Sequence, residues 1–362
     1  MKIRFTLHFL LAALAIVALT GYRPSAAQGT PPPLKLDKKL KVALITPSAK
    51  NDLAWSQSMY DAWMKLKAEA GDNLEVTVSE NLAQVPDAAA AIRDYASQEY
   101  DIIDAHGTQY GASMFEVAKD FPEITFIYGT ASDFGASKGL KNVFAYEARA
   151  EQGGYVNGVM AATLSKAGVV GIVGPVNAGD GKLYIDGFLL GMKSTGKLKK
   201  DLPPIFTQSF GDTAKAAEAA KTLISQGADV LTGSAQQVPG AITEVQKAKG
   251  FWFGTQSNQA NGWPDTVVAV QLYDWTGTLR DIVNNRLKGV KGGRAYEISL
   301  KDGGLKIVFN EKITLPAEVK AAGMKAIEDV IAGKVEGLAP KPPVAATPAA
   351  TMAATMAATP KK

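Results

Sequence analysis

Short runs of apolar, β-branched residues alternate along this chain with longer segments whose apolar positions recur every three or four residues. The rhythm holds from about residue 40 to 335 and predicts parallel strands with helices packed on the sheet faces. Strands are expected at about 41–48, 74–81, 100–106, 124–130 and 143–148, and helices at about 55–70, 86–98, 110–120 and 151–166. The layout then restarts with strand 169–175, loop 176–180 and helix 181–195. Strands at 206–210, 229–233, 251–255 and 267–272 follow, with helices at 213–226 and 239–249; Asp212 and Gly227 sit where caps of the first of these belong. The C-terminal part predicts helix 275–289, a hairpin over 295–310 turning at Asp302-Gly303-Gly304, and helix 316–334.

Two α/β lobes are therefore expected, with the chain crossing between them near 146–150, 270–276 and 300–310. Lobe 1 would comprise 40–148 plus about 274–300, and lobe 2 would comprise 149–273 plus about 301–336. Loops at the carboxyl ends of the strands would line a cleft between the lobes, where open α/β sheets bind small ligands.

Both ends of the chain fall outside the rhythm. Lys2 and Arg4 precede the apolar stretch Phe5–Thr20, and Ser25-Ala26-Ala27 supplies small residues at −3 and −1. Residues 1–27 thus read as an export signal cleaved before Gln28. A lipoprotein signal would carry cysteine where Tyr22 follows Leu19-Thr20-Gly21, so release outside the cytoplasm is expected. The alternative is retention on the uncleaved apolar stretch, which is marginal against the roughly 20 residues of a full span. Residues 28–39, with Pro31-Pro32-Pro33, form a stiff linker. Residues 340–362 are rich in Ala, Pro and Thr, cannot bury a core, and are expected to be disordered.

Composition removes several classes of function. The chain has no cysteine, so thiolate catalysis, zinc–thiolate sites and disulfides are excluded. Its charge of +4 shrinks to +1 once Lys2, Arg4 and Arg23 leave with the signal, and no basic stretch is interleaved with aromatics, which argues against nucleic acid. Of two histidines, His8 lies in the signal, leaving His106 without partners for a metal site or a triad. It is expected to be a satisfied strand-end residue, with no metal and no cofactor. Glycine-rich segments 171–175 and 178–182 miss the phosphate-loop and dinucleotide spacings. Gly135-Ala136-Ser137-Lys138-Gly139 matches a nucleophile elbow by letter but lies between two strands, so no enzyme is expected.

Polar loops at strand ends carry the binding candidates. In Asn51-Asp52-Leu53-Ala54-Trp55, the indole either stacks on a planar ligand or staples the helix start, and Asn51 and Asp52 either reach the ligand or cap the helix. Gln109 and Tyr110, in the loop after His106, would open onto the same edge. In the second lobe Phe210-Gly211-Asp212, Ser234-Ala235-Gln236-Gln237 and Thr255-Gln256-Ser257-Asn258 end three strands with amides and an aromatic ring. Neutral amides read base edges or hydroxyls without burying a charge. Asp212 suits a helix cap better than a ligand contact, and Trp275 is either a cleft wall or a hinge-core residue.

Over about residues 40–335 the chain resembles the basic membrane protein (Bmp) family of ABC-transporter substrate-binding proteins, which includes purine-nucleoside-binding lipoproteins. The resemblance rests on Asn51-Asp52…Trp55-Ser56, Glu151-Gln152-Gly153-Gly154-Tyr155-Val156-Asn157-Gly158, Asp186-Gly187-Phe188…Gly191, Ser225-Gln226-Gly227-Ala228-Asp229-Val230 and Phe253-Gly254-Thr255. It implies a type I periplasmic-binding-protein fold, with two doubly wound parallel-sheet lobes on a three-strand hinge. It also implies a purine ligand and a membrane permease as partner to a monomeric carrier. On this resemblance Trp55 and Phe210 would be the stacking pair, with Asn51, Asp52, Tyr110 and Gln236 as polar readers. Nucleoside binders of the family grip ribose with an Asp after the Phe-Gly strand and carry a Lys on the next; here Gln256 and Asn258 hold the first place and Gln271 the second. Tyr273-Asp274-Trp275 instead resembles the pattern of relatives thought to bind a free nucleobase. The expectation is an extracytoplasmic binder of a purine nucleobase or similar planar heterocycle. A nucleoside or sugar binder, or a receptor for a sensor kinase, is the alternative.

Overall fold

The computed structural model describes residues 32–338; the export signal, the start of the linker and the C-terminal tail lie outside the described residues. Strands β1 (Leu40–Ile45), β2 (Leu74–Ser79), β3 (Ile102–His106), β4 (Thr125–Gly129) and β5 (Val143–Ala148) alternate with helices α1 (Trp55–Ala70), α2 (Val85–Ser97) and α3 (Gly111–Asp120). With β11 (Arg294–Ile298) they form a six-stranded sheet of order β11-β5-β4-β3-β1-β2, parallel throughout. Helix α8 (Thr276–Leu287) leads into β11.

The second sheet repeats the plan. Its chain runs through α4 (Ala150–Leu164), β6 (Val170–Gly174), α5 (Gly179–Ser194), β7 (Ile205–Phe206), α6 (Thr213–Ser225), β8 (Val230–Gly233), α7 (Val238–Lys247), β9 (Phe251–Gln256) and β10 (Val267–Tyr273). It ends with β12 (Leu305–Phe309) and α9 (Ala317–Ile331). The strand order is β12-β10-β9-β8-β6-β7, with β12 antiparallel to β10 and the other pairs parallel.

Strands buried on both faces read as continuous apolar runs, and these do. Val42 and Leu44 of β1 enter one core while Ala43 and Ile45 enter another on the opposite face. In the second sheet Ile172 and Val173 part in the same way. The glycines of 153–158 and 187–191 have a packing cause. A Cβ on Gly158 would come within 2.1 Å of the Phe188 carbonyl oxygen, and one on Gly187 within 2.1 Å of that of Glu151. Helices α4 and α5 therefore touch backbone to backbone, which only glycine permits.

One expectation fails. The segment 295–310 is not a hairpin: β11 pairs with β5 in the first sheet and β12 with β10 in the second. The Asp302-Gly303-Gly304 turn joins strands of different lobes. Likewise β7 is only two residues long, because Gln208 takes a left-handed φ of 59° and Thr207 Oγ1 turns back to the Ser209 carbonyl at 3.0 Å. Phe210 thus sits on a loop and not at a strand end.

Three crossings join the lobes, after β5, after β10 and between β11 and β12. The Arg149 N–H donates to the Ile298 carbonyl at 2.9 Å, that of Asp274 to Gly304 at 2.7 Å, and that of Leu305 to Ser299 at 2.9 Å. The linking segments thus form one hinge, and the fold is the two-lobed α/β architecture expected from the resemblance.

Candidate ligand-binding cleft

Carboxyl ends of strands from both sheets converge on a cavity of about 520 Å³, inside the roughly 300–1,000 Å³ of small-molecule sites. Lobe 1 contributes Ser48, Trp55, Asn81, Thr108, Gln109 and Thr130 among its lining residues. Lobe 2 contributes Asp180, Ser209, Phe210, Ser234, Gln236 and Gln256. The lobes also bond directly. Ser257 Oγ donates to the Ala54 carbonyl at 2.7 Å, and Thr130 Oγ1 to Asp180 Oδ1.

The lobe 1 wall is built on a network that satisfies itself. Trp55 stacks on His106, with centroids 4.0 Å apart and planes within 6°, and its Nε1–H donates to the His106 carbonyl at 3.1 Å. His106 Nε2 donates to the Trp55 carbonyl at 2.9 Å, while Nδ1 accepts from the Tyr146 hydroxyl. Both ring nitrogens are thereby engaged in one neutral tautomer, and burial holds the imidazole down at a pKa of about 3. His106 is the satisfied strand-end residue expected of it. Trp275, fully buried, donates from Nε1 to Ser58 Oγ at 3.2 Å and packs edge-on against Trp55 and Tyr146.

Lobe 2 presents a different surface. Gln256, 3% exposed, has a left-handed φ of 76°, and its Oε1 is buried without a hydrogen-bond partner. Ala235, beside Gln236, has a φ of 69°. Asp180 is the second residue of α5, after Gly179, whose φ of 58° a side chain would strain. Its carboxyl is 4% exposed, with Oδ1 bonded to Thr130 and Oδ2 buried without a partner. Burial, with added repulsion from Glu147 and Glu151, pushes this acid well above the usual carboxylate range.

Five of the candidates read from the sequence line the cavity together: Trp55, Gln109, Phe210, Gln236 and Gln256. The other six do not. Asn51 is exposed on the loop before α1. Asp52 caps α1, accepting from the N–H groups of Ala54, Ser56 and Gln57 at 2.9–3.1 Å. Tyr110 is turned into the lobe 1 core, its hydroxyl donating to the Leu82 carbonyl at 2.7 Å. Asp212 caps α6 through the Lys215 N–H at 2.9 Å, and Asn258 accepts from the Ala260 N–H at 3.2 Å. Trp275 belongs to the hinge core. Asp52, Asp212 and Asn258 are each taken by nearby backbone N–H groups, as short polar side chains before helices commonly are. Asp180, by contrast, was not singled out. Flanked by Gly179 and Gly181 at a strand-to-helix turn, it looks like an ordinary cap, and its burial depends on the opposite lobe.

Comparisons with known proteins agree with this geometry. A purine-binding protein of Brucella abortus is 30% identical over 272 residues, spanning 75% of each chain. The ABC transporter nucleoside-binding protein BmpA of Lactococcus lactis is 25% identical over 92% of this chain and 99% of its own. Among solved structures, an ABC transporter solute-binding protein from Aeropyrum pernix superposes with a TM-score of 0.69 at 18% identity, covering 84% of this chain and 94% of its own. The Bmp family model, described as ABC transporter substrate-binding protein PnrA-like, matches residues 39–334, and the chain belongs to that family.

Proposed function

We propose that the protein captures a purine nucleobase, or a similar planar heterocycle, outside the cytoplasm and delivers it to the membrane permease of an ABC importer. No chemical step is involved. Ligand enters between the parted lobes, meets the aromatic rings of Trp55 and Phe210 and the amides of Gln109, Gln236 and Gln256, and favours the closed state by its greater affinity for it. The closed lobes then offer the permease a surface that the open ones do not. Among the described residues no helix is long and apolar enough to cross a membrane.

One observation favours nucleobase over nucleoside. Where the family's nucleoside binders carry a ribose-gripping acid and then a lysine, this chain has the neutral amides Gln256 and Asn258 and, on the next strand, Gln271. Asn258 caps its own turn. Gln271 is fully buried, donating to the Ala150 carbonyl and accepting from Thr255 Oγ1, each at 3.0 Å. Gln271 is thereby closed to hydroxyls in the cleft, and without the acid a bidentate grip on ribose is lost. A ligand that binds the native state raises the thermal midpoint by linkage. The purified protein should therefore be stabilised by adenine, hypoxanthine or guanine more than by their nucleosides. Stabilisation by sugars alone would remove the purine assignment.

A further inference from the structure

We infer, resting on the purine reading, that Asp180 sets which base edge the cleft accepts, its carboxyl pairing as one acceptor and one O–H donor with an edge that carries one donor beside one acceptor. Three observations lead there. Asp180 lines the cavity while being 4% exposed, so it is both at the site and nearly free of solvent. Its Oδ2 is buried with no partner, a costly state that a ligand atom would relieve. Its Oδ1 takes a hydrogen bond across the cleft from Thr130 of the other lobe, so parting the lobes removes that bond.

The surroundings decide the protonation state. The charged groups that act on Asp180 are Glu147 of β5 and Glu151 of α4, both acidic. The hydroxyls of Tyr146 on β5 and Tyr273 on β10 are electrostatically coupled to Asp180, and burial drives both toward the neutral form. Thr130 and the Ala148 N–H favour the anion, but burial outweighs them and shifts the carboxyl toward its neutral form. A protonated carboxyl offers one donor and one acceptor, where a carboxylate only accepts. Adenine carries an amino N–H beside a ring nitrogen, and hypoxanthine a ring N–H beside a carbonyl. Both complement the neutral acid.

An asparagine side chain presents the same donor and acceptor without a proton to lose, and this gives the test. Adenine and hypoxanthine are titrated calorimetrically into wild type, Asp180→Asn and Asp180→Ala between about pH 5 and 8, with unfolding midpoints confirming that each variant is folded. Asp180→Ala should lose roughly tenfold or more in affinity, while Asp180→Asn loses no more than about threefold. If the Asn variant falls as far as the Ala variant, the carboxylate charge is what binds and the inference is overturned. Wild-type affinity in the Ala variant would make Asp180 purely structural, with the same consequence. Binding of neither purine by the wild type would overturn the purine reading itself, a distinct result.

Discussion

The two walls of the cleft are made from the same βα rhythm yet differ in how their polar groups are used. On the lobe 1 side the indole of Trp55, the ring of His106 and the hydroxyl of Tyr146 bond to one another or to backbone. On the lobe 2 side, Asp180 Oδ2 and Gln256 Oε1 are buried and unpartnered, and the backbone at Ala235 and Gln256 is held in the left-handed region. Buried unpaired groups and strained dihedrals cost stability and tend to collect where a ligand will use them. Among the lining residues lobe 1 has a left-handed φ at Asn81 alone, 61°, and no buried unpartnered side-chain atom, so the proposed division is a preformed lobe 1 surface and a discriminating lobe 2.

Truncation of the preformed wall should have the largest effect. Trp55 is 6% exposed and part of the core, so Trp55→Ala is expected to cost about 3–5 kcal/mol in denaturant unfolding as well as weakening binding. A loss under about 1 kcal/mol would mean the wall is not close-packed.

The walls should next separate by pH, with opposite signs. His106 has its folded pKa lowered to about 3, so the unfolded chain binds the extra proton, and stability falls as pH drops below the unfolded value near 6.5. Asp180 has its folded pKa raised, so its contribution is full below the unfolded value near 4 and is lost as pH rises. Each effect is worth about 1.4 kcal/mol per pH unit within its window. Asp104, pushed up to about 7 by burial beneath the lobe 1 sheet, acts in the same sense as Asp180. The Asp180 part is therefore read as the difference between wild type and Asp180→Asn, which should grow in favour of the variant from about pH 4 upward. A constant difference across that range would show that the acid is ionised in the folded protein.

A smaller effect, with stability and binding moving apart, is expected at Gln256. Glycine accepts its φ of 76° without strain, so Gln256→Gly should raise stability by about 1 kcal/mol while weakening ligand binding several-fold. Parallel losses in both would contradict a strained, ligand-reading residue. The smallest change should come from Thr130→Val, which removes the cross-cleft donor to Asp180. The ligand-free midpoint should drop slightly, and purine affinity should tighten by about threefold because the ligand no longer displaces a hydrogen bond. Weaker binding in that variant would place Thr130 among the ligand's own contacts.

The lobes were legible because strands such as Leu40–Ile45 and Val170–Gly174, buried on both faces, announce themselves as apolar runs between helical periods. The glycines of α4 and α5 were visible as a pattern, although only the backbone contact between those helices explains them. The hairpin was misread because an Asp-Gly-Gly turn reports a reversal but not which sheet each flanking strand joins. The site was half legible. Trp55, Gln109, Phe210, Gln236 and Gln256 stood out as aromatics and amides at strand ends. Asp52, Asp212 and Asn258 looked the same in sequence, and only backbone N–H groups two to five residues further on distinguish a cap from a reader. Asp180 was hidden for the converse reason, since its environment is supplied by Thr130, Glu147 and Glu151, all far from it along the chain or across the cleft.

The most direct test is a calorimetric titration of the purified protein with adenine, hypoxanthine, adenosine and inosine under one buffer condition. The free bases should bind more tightly than their nucleosides, because Gln271 is engaged within the fold and neither Gln256 nor Asn258 carries the charge of a ribose-gripping acid. Tighter binding of adenosine or inosine would contradict it, and would mean that other groups in the cleft hold the sugar.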